Sequence, residues 1–150
     1  MNKINGINKA FNTNFSRKKI KHKQNLYYLL AETNNENINF ENRNYYFTWK
    51  DGIWKKGIWK NGIWKKGTWI DGTWEYGTWE DGTWKDGTWK NGTWENGTWN
   101  NGTWKNGTWK NGTWHNGTWK GGYILIKKTN EYEYSELPPS EVEWSYSYQE

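Results

Sequence analysis

The chain has little of what enzymes and ordinary globular cores are built from. It contains no cysteine among its 150 residues, which excludes disulfides and cysteine-based metal sites and leaves the redox compartment open. Leucine, isoleucine and valine are scarce, so an aliphatic core is excluded. No window approaches the ~20 apolar residues of a membrane span, and residues 1–10 lack the apolar run of a secretory signal. We therefore expect no membrane partner and favour a cytoplasmic or intravirion location.

Tryptophan and glycine are abundant instead, with 16 and 17 residues, and they form a strict repeat. Trp occurs every five residues from Trp49 to Trp119, fifteen times, and Gly stands two residues before it from Gly52 to Gly117. Thr lies between the two in most units, which gives the repeat Gly-Thr-Trp-x-x. Self-similarity at a short fixed period is typical of solenoids.

The period of five excludes a single helix or a single strand. On an α-helix, residues five apart do not share a face, and each internal Gly would cost about 1 kcal/mol. On one continuous strand, successive Trp side chains would alternate between faces, because five is odd. A short strand followed by a corner remains. Asn-Gly and Asp-Gly pairs recur at the unit boundary, and Asn, Asp and Gly are the residues that tolerate positive φ in turns.

Strand parity predicts which side chains face inward. Within a short strand, Gly and Trp share one side, whereas Thr and the residue after Trp share the other. The residue after Trp is Lys in nine units and Glu in three, and twelve charges cannot be buried without partners. We therefore expect the Trp side chains inside the coil and the Thr, Lys and Glu side chains outside it.

The tandem unit of a small, a polar, a large apolar and two variable residues resembles the pentapeptide-repeat family. The resemblance covers Phe47 to Gly121, half of the chain. It implies an all-β, right-handed quadrilateral β-helix with four pentapeptides per coil, hence about four coils here. Trp replaces the family's central Leu or Phe, and Gly replaces the preceding Ala, an exchange that roughly conserves core volume. A flatter, two-sided solenoid of ten residues per coil remains an alternative.

Three segments are expected. Residues 1–46 are basic and rich in Asn and Lys, and form either a cap or a tether. Residues 47–121 form the pentapeptide-repeat β-solenoid. Residues 122–150 carry six acidic against two basic residues, and their alternating aromatic residues predict short strands that cap the last coil with their aromatic face.

Residues that could perform chemistry are few. His22 and His115 are the only imidazoles. With four units per coil, Glu75, Glu95 and His115 would form one outward column, the closest approach to an acid–base set, but a packed solenoid offers no pocket to separate carboxylate pKa values. We therefore expect a protein that is not an enzyme, with no catalytic residues, no cofactor and no metal.

A nucleic-acid-associated function is the alternative. Basic residues cluster near the N-terminus, and a four-sided coil would align three further lysines on one side. The candidate contacts are Arg17, Lys18, Lys19, Lys21, Lys23, Lys65, Lys85 and Lys105. A column spaced by ~4.8 Å does not match one phosphate per ~3.4 Å along a strand of B-DNA, so this function is possible but not favoured.

The favoured function is a non-enzymatic structural or protein-interaction role with an unidentified protein partner. Long regular Gly-Thr-aromatic repeats resemble those of viral and bacterial reading frames, and the Asn and Lys bias suggests an A+T-rich genome, so a viral or bacterial assembly component is the expected setting. Residues 1–46 carry a net charge of +5 and residues 122–150 a net charge of −4, which permits end-to-end self-association.

Overall fold

A computed structural model describes residues 32–33 and 47–142 of the chain. The strands are β1 (Glu32–Thr33), β2 (Phe47–Trp49), β3 (Ile53–Lys56), β4 (Ile58–Trp59), β5 (Gly62–Trp64), β6 (Thr68–Trp69), β7 (Thr73–Trp74), β8 (Thr78–Trp79), β9 (Thr83–Trp84), β10 (Thr88–Trp89), β11 (Thr93–Trp94), β12 (Thr98–Trp99), β13 (Thr103–Trp104), β14 (Thr108–Trp109), β15 (Thr113–Trp114), β16 (Thr118–Trp119), β17 (Gly122–Ile126) and β18 (Glu131–Ser135). A short 3-10 helix, Pro139–Glu141, follows them.

The strands form three sheets, which are the three sides of a solenoid. Side I consists of β2, β5, β8, β11, β14, β17 and β18; side II of β1, β3, β6, β9, β12 and β15; and side III of β4, β7, β10, β13 and β16. Repeat strands three apart pair in parallel and in register, so that Thr88 and Trp89 lie opposite Thr103 and Trp104. One coil therefore takes fifteen residues, and the fifteen repeats make about five coils.

The predicted all-β solenoid is confirmed, but the predicted four-sided coil is wrong. The register places Trp49 beside Trp64 and not beside Trp69. The exchange of Ala for Gly was expected to offset the size of Trp, and it does not. A Cβ built on Gly82 would first collide with the carbonyl oxygen of Gly67 in the preceding coil, so the missing methyl group frees space between coils. We infer that the glycine therefore leaves no extra room for the indole in the interior. Three indoles per coil are enough to fill it.

Glycine is required at the corner for two reasons, and Gly92 shows both. Its φ of 121° lies in the region that L side chains rarely adopt. A Cβ at this position would also collide with the carbonyl oxygen of Gly77. That carbonyl accepts a hydrogen bond from the N–H of Thr93 at 2.9 Å, so it cannot move away without breaking the ladder between coils.

The residue before the glycine completes the corner. The side-chain oxygen of Asp86 accepts a hydrogen bond from the N–H of Gly87 at 2.8 Å, and that of Asn91 accepts one from the N–H of Gly92 at 2.9 Å. The same contact recurs at Asp51, Asn61, Asp71 and Asp81. The predicted Asx-Gly corner is therefore confirmed, and the Asx side chain supplies the backbone N–H of glycine with a partner.

The indoles of the fifteen repeats form the core, as predicted. Each is between 0 and 8% exposed. Rings one coil apart stack, as for Trp89 and Trp104, whose centroids are 4.8 Å apart with an angle of 5° between planes. Rings of successive units meet edge to face, as for Trp89 and Trp94 at 5.9 Å and 72°. Both arrangements are favourable for aromatic rings.

The indole N–H groups distinguish the later coils from the earlier ones. The Nε1 of Trp94 donates to the carbonyl oxygen of Asn111, a corner residue of the next coil, at 3.1 Å. Trp84, Trp89, Trp99 and Trp104 make the same contact with the residue seventeen positions later. In Trp79 the Nε1 is buried and has no hydrogen-bond partner within the described part of the chain.

Strands from the flanking segments lie at both ends of the solenoid. At the N-terminal end, β1 pairs antiparallel with β3. At the C-terminal end, β17 continues side I in parallel with β14, and β18 returns antiparallel to β17. The Nε1 of Trp119 donates to the carbonyl oxygen of Ser135 at 3.0 Å, and Val142 belongs to the core cluster. Residues 1–31, 34–46 and 143–150 lie outside the described residues. The prediction that residues 1–46 form either a cap or a tether falls largely on these residues.

The aromatic face of β18 does not cover the last coil, contrary to expectation. Tyr132 and Tyr134 are 46% and 57% exposed. The buried side chains of this segment are instead Ile124, Ile126, Ser135, Pro139 and Val142. Because β18 pairs in the plane of side I rather than folding across the end of the coil, its tyrosines stay on the outer surface.

We expect Gly92→Ala to destabilise the solenoid. The backbone conformation alone costs roughly 1–3 kcal/mol for an L side chain, and the collision with Gly77 adds to it. Denaturant unfolding followed by tryptophan fluorescence measures the loss. Thr93→Ala, at the next position, is the control and should change stability by no more than about 0.5 kcal/mol. Equal stability of the Gly92→Ala variant and the unaltered protein would contradict the glycine argument.

We expect Trp94→Phe to cost more stability than Trp79→Phe, by about 0.5–1.5 kcal/mol, the usual net contribution of one hydrogen bond. The two indoles are fully buried neighbours in one stacked column, 4.8 Å apart, but only the first donates its N–H to a described residue. Free energies of unfolding from urea titrations compare the two variants directly. Equal losses would show that the bond to the Asn111 carbonyl contributes nothing.

Candidate functional site

With fifteen residues per coil, outward residues that a four-sided coil would align lie on different sides. Lys65 follows β5 on side I, Lys85 follows β9 on side II and Lys105 follows β13 on side III. The predicted column of these three lysines is therefore wrong. The predicted column of Glu75, Glu95 and His115 is wrong for the same reason, because these residues follow β7, β11 and β15 on three different sides.

The outward position of the residues after Trp is confirmed, and ion pairs form along each side rather than around the coil. On side III, the ammonium of Lys60 lies 2.7 Å from a carboxylate oxygen of Glu75, and the ammonium of Lys90 lies 3.8 Å from the other oxygen. On side I, the ammonium of Lys110 lies 3.3 Å from Glu95. These pairs join residues one coil apart, which the fifteen-residue register makes neighbours.

A shallow groove of about 420 Å³ runs along the C-terminal half of side I. Its lining residues are Thr78, Thr93, Glu95, Thr108, Lys110, Tyr123 and Tyr132. The three threonines occupy the same repeat position in successive coils, and Tyr123 takes that position in β17, opposite Thr108. The groove therefore combines a ladder of hydroxyl groups, one ion pair and two phenol rings.

The charged pair of the groove is electrostatically coupled. The hydrogen bond from its ammonium to Glu95 raises the pKa of Lys110 above its ordinary value, and the nearby Tyr132 raises it further, while burial opposes both. The lysine therefore keeps its proton, and Glu95 has a cation at 3.3 Å. The arrangement suits the binding of polar groups by hydroxyl, carboxylate and ammonium together.

Exposed aromatic side chains gather beside the groove. Tyr134 of β18 pairs with Tyr123 of β17, and their rings meet edge to face at 5.7 Å. Tyr132 lies two residues earlier on the same strand, and Leu137 follows the strand. We call Tyr123, Tyr132, Tyr134 and Leu137 the tyrosine patch; each is between 46 and 57% exposed. Ser135 fixes the turn below it, because its hydroxyl donates to the carbonyl oxygen of Leu137 and accepts from the N–H of the same residue.

Sequence reasoning missed the groove and the patch. The alternation of Tyr132 and Tyr134 correctly predicts a strand, but the aromatic face that it predicts as a cap of the last coil is exposed. The pairing of Glu95 with Lys110 could have been found from the sequence once the coil was known to contain fifteen residues. The remaining predicted contacts, Arg17, Lys18, Lys19, Lys21 and Lys23, lie outside the described residues.

The described part of the chain contains no group of three or more His, Cys, Asp and Glu side chains placed to hold a metal ion. Nor does any helix within residues 32–33 and 47–142 have the length and apolar character that a bilayer crossing requires. No family model matches the chain, and neither a curated protein nor a solved structure is significantly similar to it. The structure is consistent with the pentapeptide-repeat fold in its parallel strands and in its Trp every five residues.

We expect Glu95→Gln to lower the pKa of Lys110, because the substitution removes the carboxylate whose hydrogen bond and charge raise it. The ¹³Cε chemical shift of labelled lysine, followed from neutral to alkaline pH, measures the change. Glu80→Gln is the matched control: Glu80 occupies the same repeat position one coil earlier, and the pKa of Lys110 should be unaffected. A pKa that is unchanged in the Glu95→Gln variant would show that the ion pair is not formed in solution.

Proposed function

We propose that the protein is a non-enzymatic structural or protein-interaction component. Its Trp-cored solenoid acts as a rigid rod, and the tyrosine patch is the surface that docks on another protein molecule. The patch is the observation that carries this proposal. Tyrosine is enriched at protein interfaces, where one ring supplies both apolar area and a hydroxyl group. The repeat sides bear mainly Thr, Lys, Glu and Asn side chains, and their exposed large apolar residues, Ile70 and Tyr76, are isolated in the sequence.

The rest of the groove supports binding rather than chemistry. Its carboxylate, Glu95, is held by Lys110 in an ion pair. The groove is open and its hydroxyl groups repeat from coil to coil, which favours contact with an extended partner. A viral or bacterial assembly component remains the biological setting that we propose, on the grounds of the regular repeat and the Asn and Lys bias.

We further propose that the partner at the tyrosine patch is a second copy of the chain, bound end to end. Three glutamates lie on or next to β18, namely Glu131, Glu133 and Glu136, and all are exposed. Residues 1–46 carry a net charge of +5, which complements them. Opposite charges steer association and fix its orientation, and the exposed tyrosines supply the apolar area that charges alone lack.

The nucleic-acid alternative receives no support from Lys65, Lys85 and Lys105, the three repeat lysines that were candidates for it. Lys65, Lys85 and Lys105 were expected to present one basic column, and they lie on three different sides. Of the candidate contacts, the basic residues between positions 17 and 23 remain, and they lie outside the described residues.

Sedimentation velocity over a range of protein concentrations tests the end-to-end contact. We expect the sedimentation coefficient to rise with concentration at low salt and less so at high salt, because exposed charges are screened. Combined substitution of Tyr132, Tyr134 and Leu137 by Ser should abolish the rise. The control is substitution of Ile70 and Tyr76 by Ser, since these are exposed apolar residues on other parts of the coil. A concentration-independent monomer, or equal loss in the control, would contradict the proposal.

A further inference from the structure

The last two coils have an unbalanced surface charge. Residues 96–130 contain five lysines, Lys105, Lys110, Lys120, Lys127 and Lys128, and no aspartate or glutamate. Of these, Lys110 is paired with Glu95. Residues 96–130 therefore carry a net charge of +5.

On side III, two of these lysines, Lys105 and Lys120, align with Lys90 in one column. Lys90, Lys105 and Lys120 each follow the Trp of a side III strand, and the strands β10, β13 and β16 pair in register. The N–H of Lys105 donates to the carbonyl oxygen of Trp89, and that of Lys120 to Trp104. The stacked indoles below them are 4.8 and 4.9 Å apart, which sets the spacing at which the lysines leave the surface.

Of these lysines, Lys90 has only a long ion pair. Glu75, the nearest carboxylate of the column, lies 2.7 Å from Lys60 but 3.8 Å from Lys90. Lys105 and Lys120 are exposed, and neither has an ion-pair partner among the described residues. Lys105 and Lys120 are like charges one coil apart and repel each other, so an anionic ligand that bridges them and reaches Lys90 would relieve the repulsion.

A second ladder runs parallel to the lysines. Thr88, Thr103 and Thr118 stand two residues before them on the same outer surface of side III, also in register. We call the two ladders together the lysine–threonine strip. Each coil thus offers one ammonium group and one hydroxyl group, at a constant interval along the rod, to a ligand with a matching repeat.

We propose that the lysine–threonine strip binds an extended acidic polysaccharide with one carboxylate on each sugar. Such a chain presents a carboxylate and several hydroxyl groups at a regular interval, so its carboxylates can bind the lysines while its hydroxyl groups bond the threonines. Single-stranded nucleic acid is disfavoured, because it is held by aromatic side chains that stack on its bases, and the strip carries Thr and Lys in their place.

Binding to polygalacturonate, measured by isothermal titration calorimetry with the full chain, tests the proposal. The test variant replaces Lys90, Lys105 and Lys120 by Gln. The matched control replaces Lys50, Lys65 and Lys85 by Gln: these lysines occupy the same repeat position and remove the same charge, but lie on sides I and II. Fully methyl-esterified polygalacturonate, with the same sugars and no charge, is the ligand control. The basic residues near the N-terminus are present in every variant, so their contribution cancels.

We expect the side III variant to bind polygalacturonate at least tenfold more weakly. The slope of log K against log[salt] should be less steep by about two, because three charge contacts to a single-stranded polyanion are lost. The control variant should bind within about twofold of the unaltered protein, and the esterified polymer should not bind. The proposal is overturned by an equal loss in both variants, by no loss in the side III variant, or by tighter binding of single-stranded DNA through the same three lysines. Variants of the tyrosine patch should leave this affinity unchanged, which separates the outcome from that of the self-association experiment.

Discussion

The distance between successive coils satisfies two interactions at once. Parallel strands pair at ~4.7–4.9 Å, and the stacked indole centroids are 4.7–5.0 Å apart. The backbone ladder and the aromatic stack therefore have the same repeat, and neither strains the other. An offset stack of rings also places each indole against its neighbours over most of its surface, which is why a column of large aromatic side chains can be continuous through about five coils.

The shared spacing of the backbone ladder and the indole stack depends on glycine at the corners. The carbonyl oxygen of Gly77 accepts the bond from Thr93 at the place where a Cβ of Gly92 would stand. A methyl group there would push successive coils apart, and the indoles would lose contact with them. The Asn and Asp residues before the glycines stabilise the turn by accepting a hydrogen bond from its N–H. The repeat Gly-Thr-Trp-x-x therefore unites a corner, an outward polar side chain and an inward ring in five residues.

Because Trp is the inward residue of every repeat, sequence variation is confined to the outward positions and to the ends of the solenoid. Every outward residue meets the residues fifteen positions before and after it, so charges interact along a side. This explains why Glu75 pairs with Lys60, and why Lys105 and Lys120 stand one above the other on side III. The hairpin of β17 and β18 departs from the repeat, and it is there that the exposed tyrosines accumulate. Both candidate surfaces lie in the C-terminal half of the rod, on different sides.

The sequence by itself determined the kind of fold, because a period of five with Gly and Trp at fixed positions admits short strands and corners, and because lysine after Trp must be outside. Such local rules predict the inward Trp and the Asx-Gly corner. They also predict strands in the segment that contains β17 and β18. The number of sides does not, since it depends on how many indoles fill the interior and on where the missing Cβ of glycine would point. Only the tertiary structure decided that three units make a coil. That number alone separates Lys65, Lys85 and Lys105 and aligns Lys90 with Lys105 and Lys120, because a change from twenty to fifteen residues per coil changes the neighbours of every outward side chain.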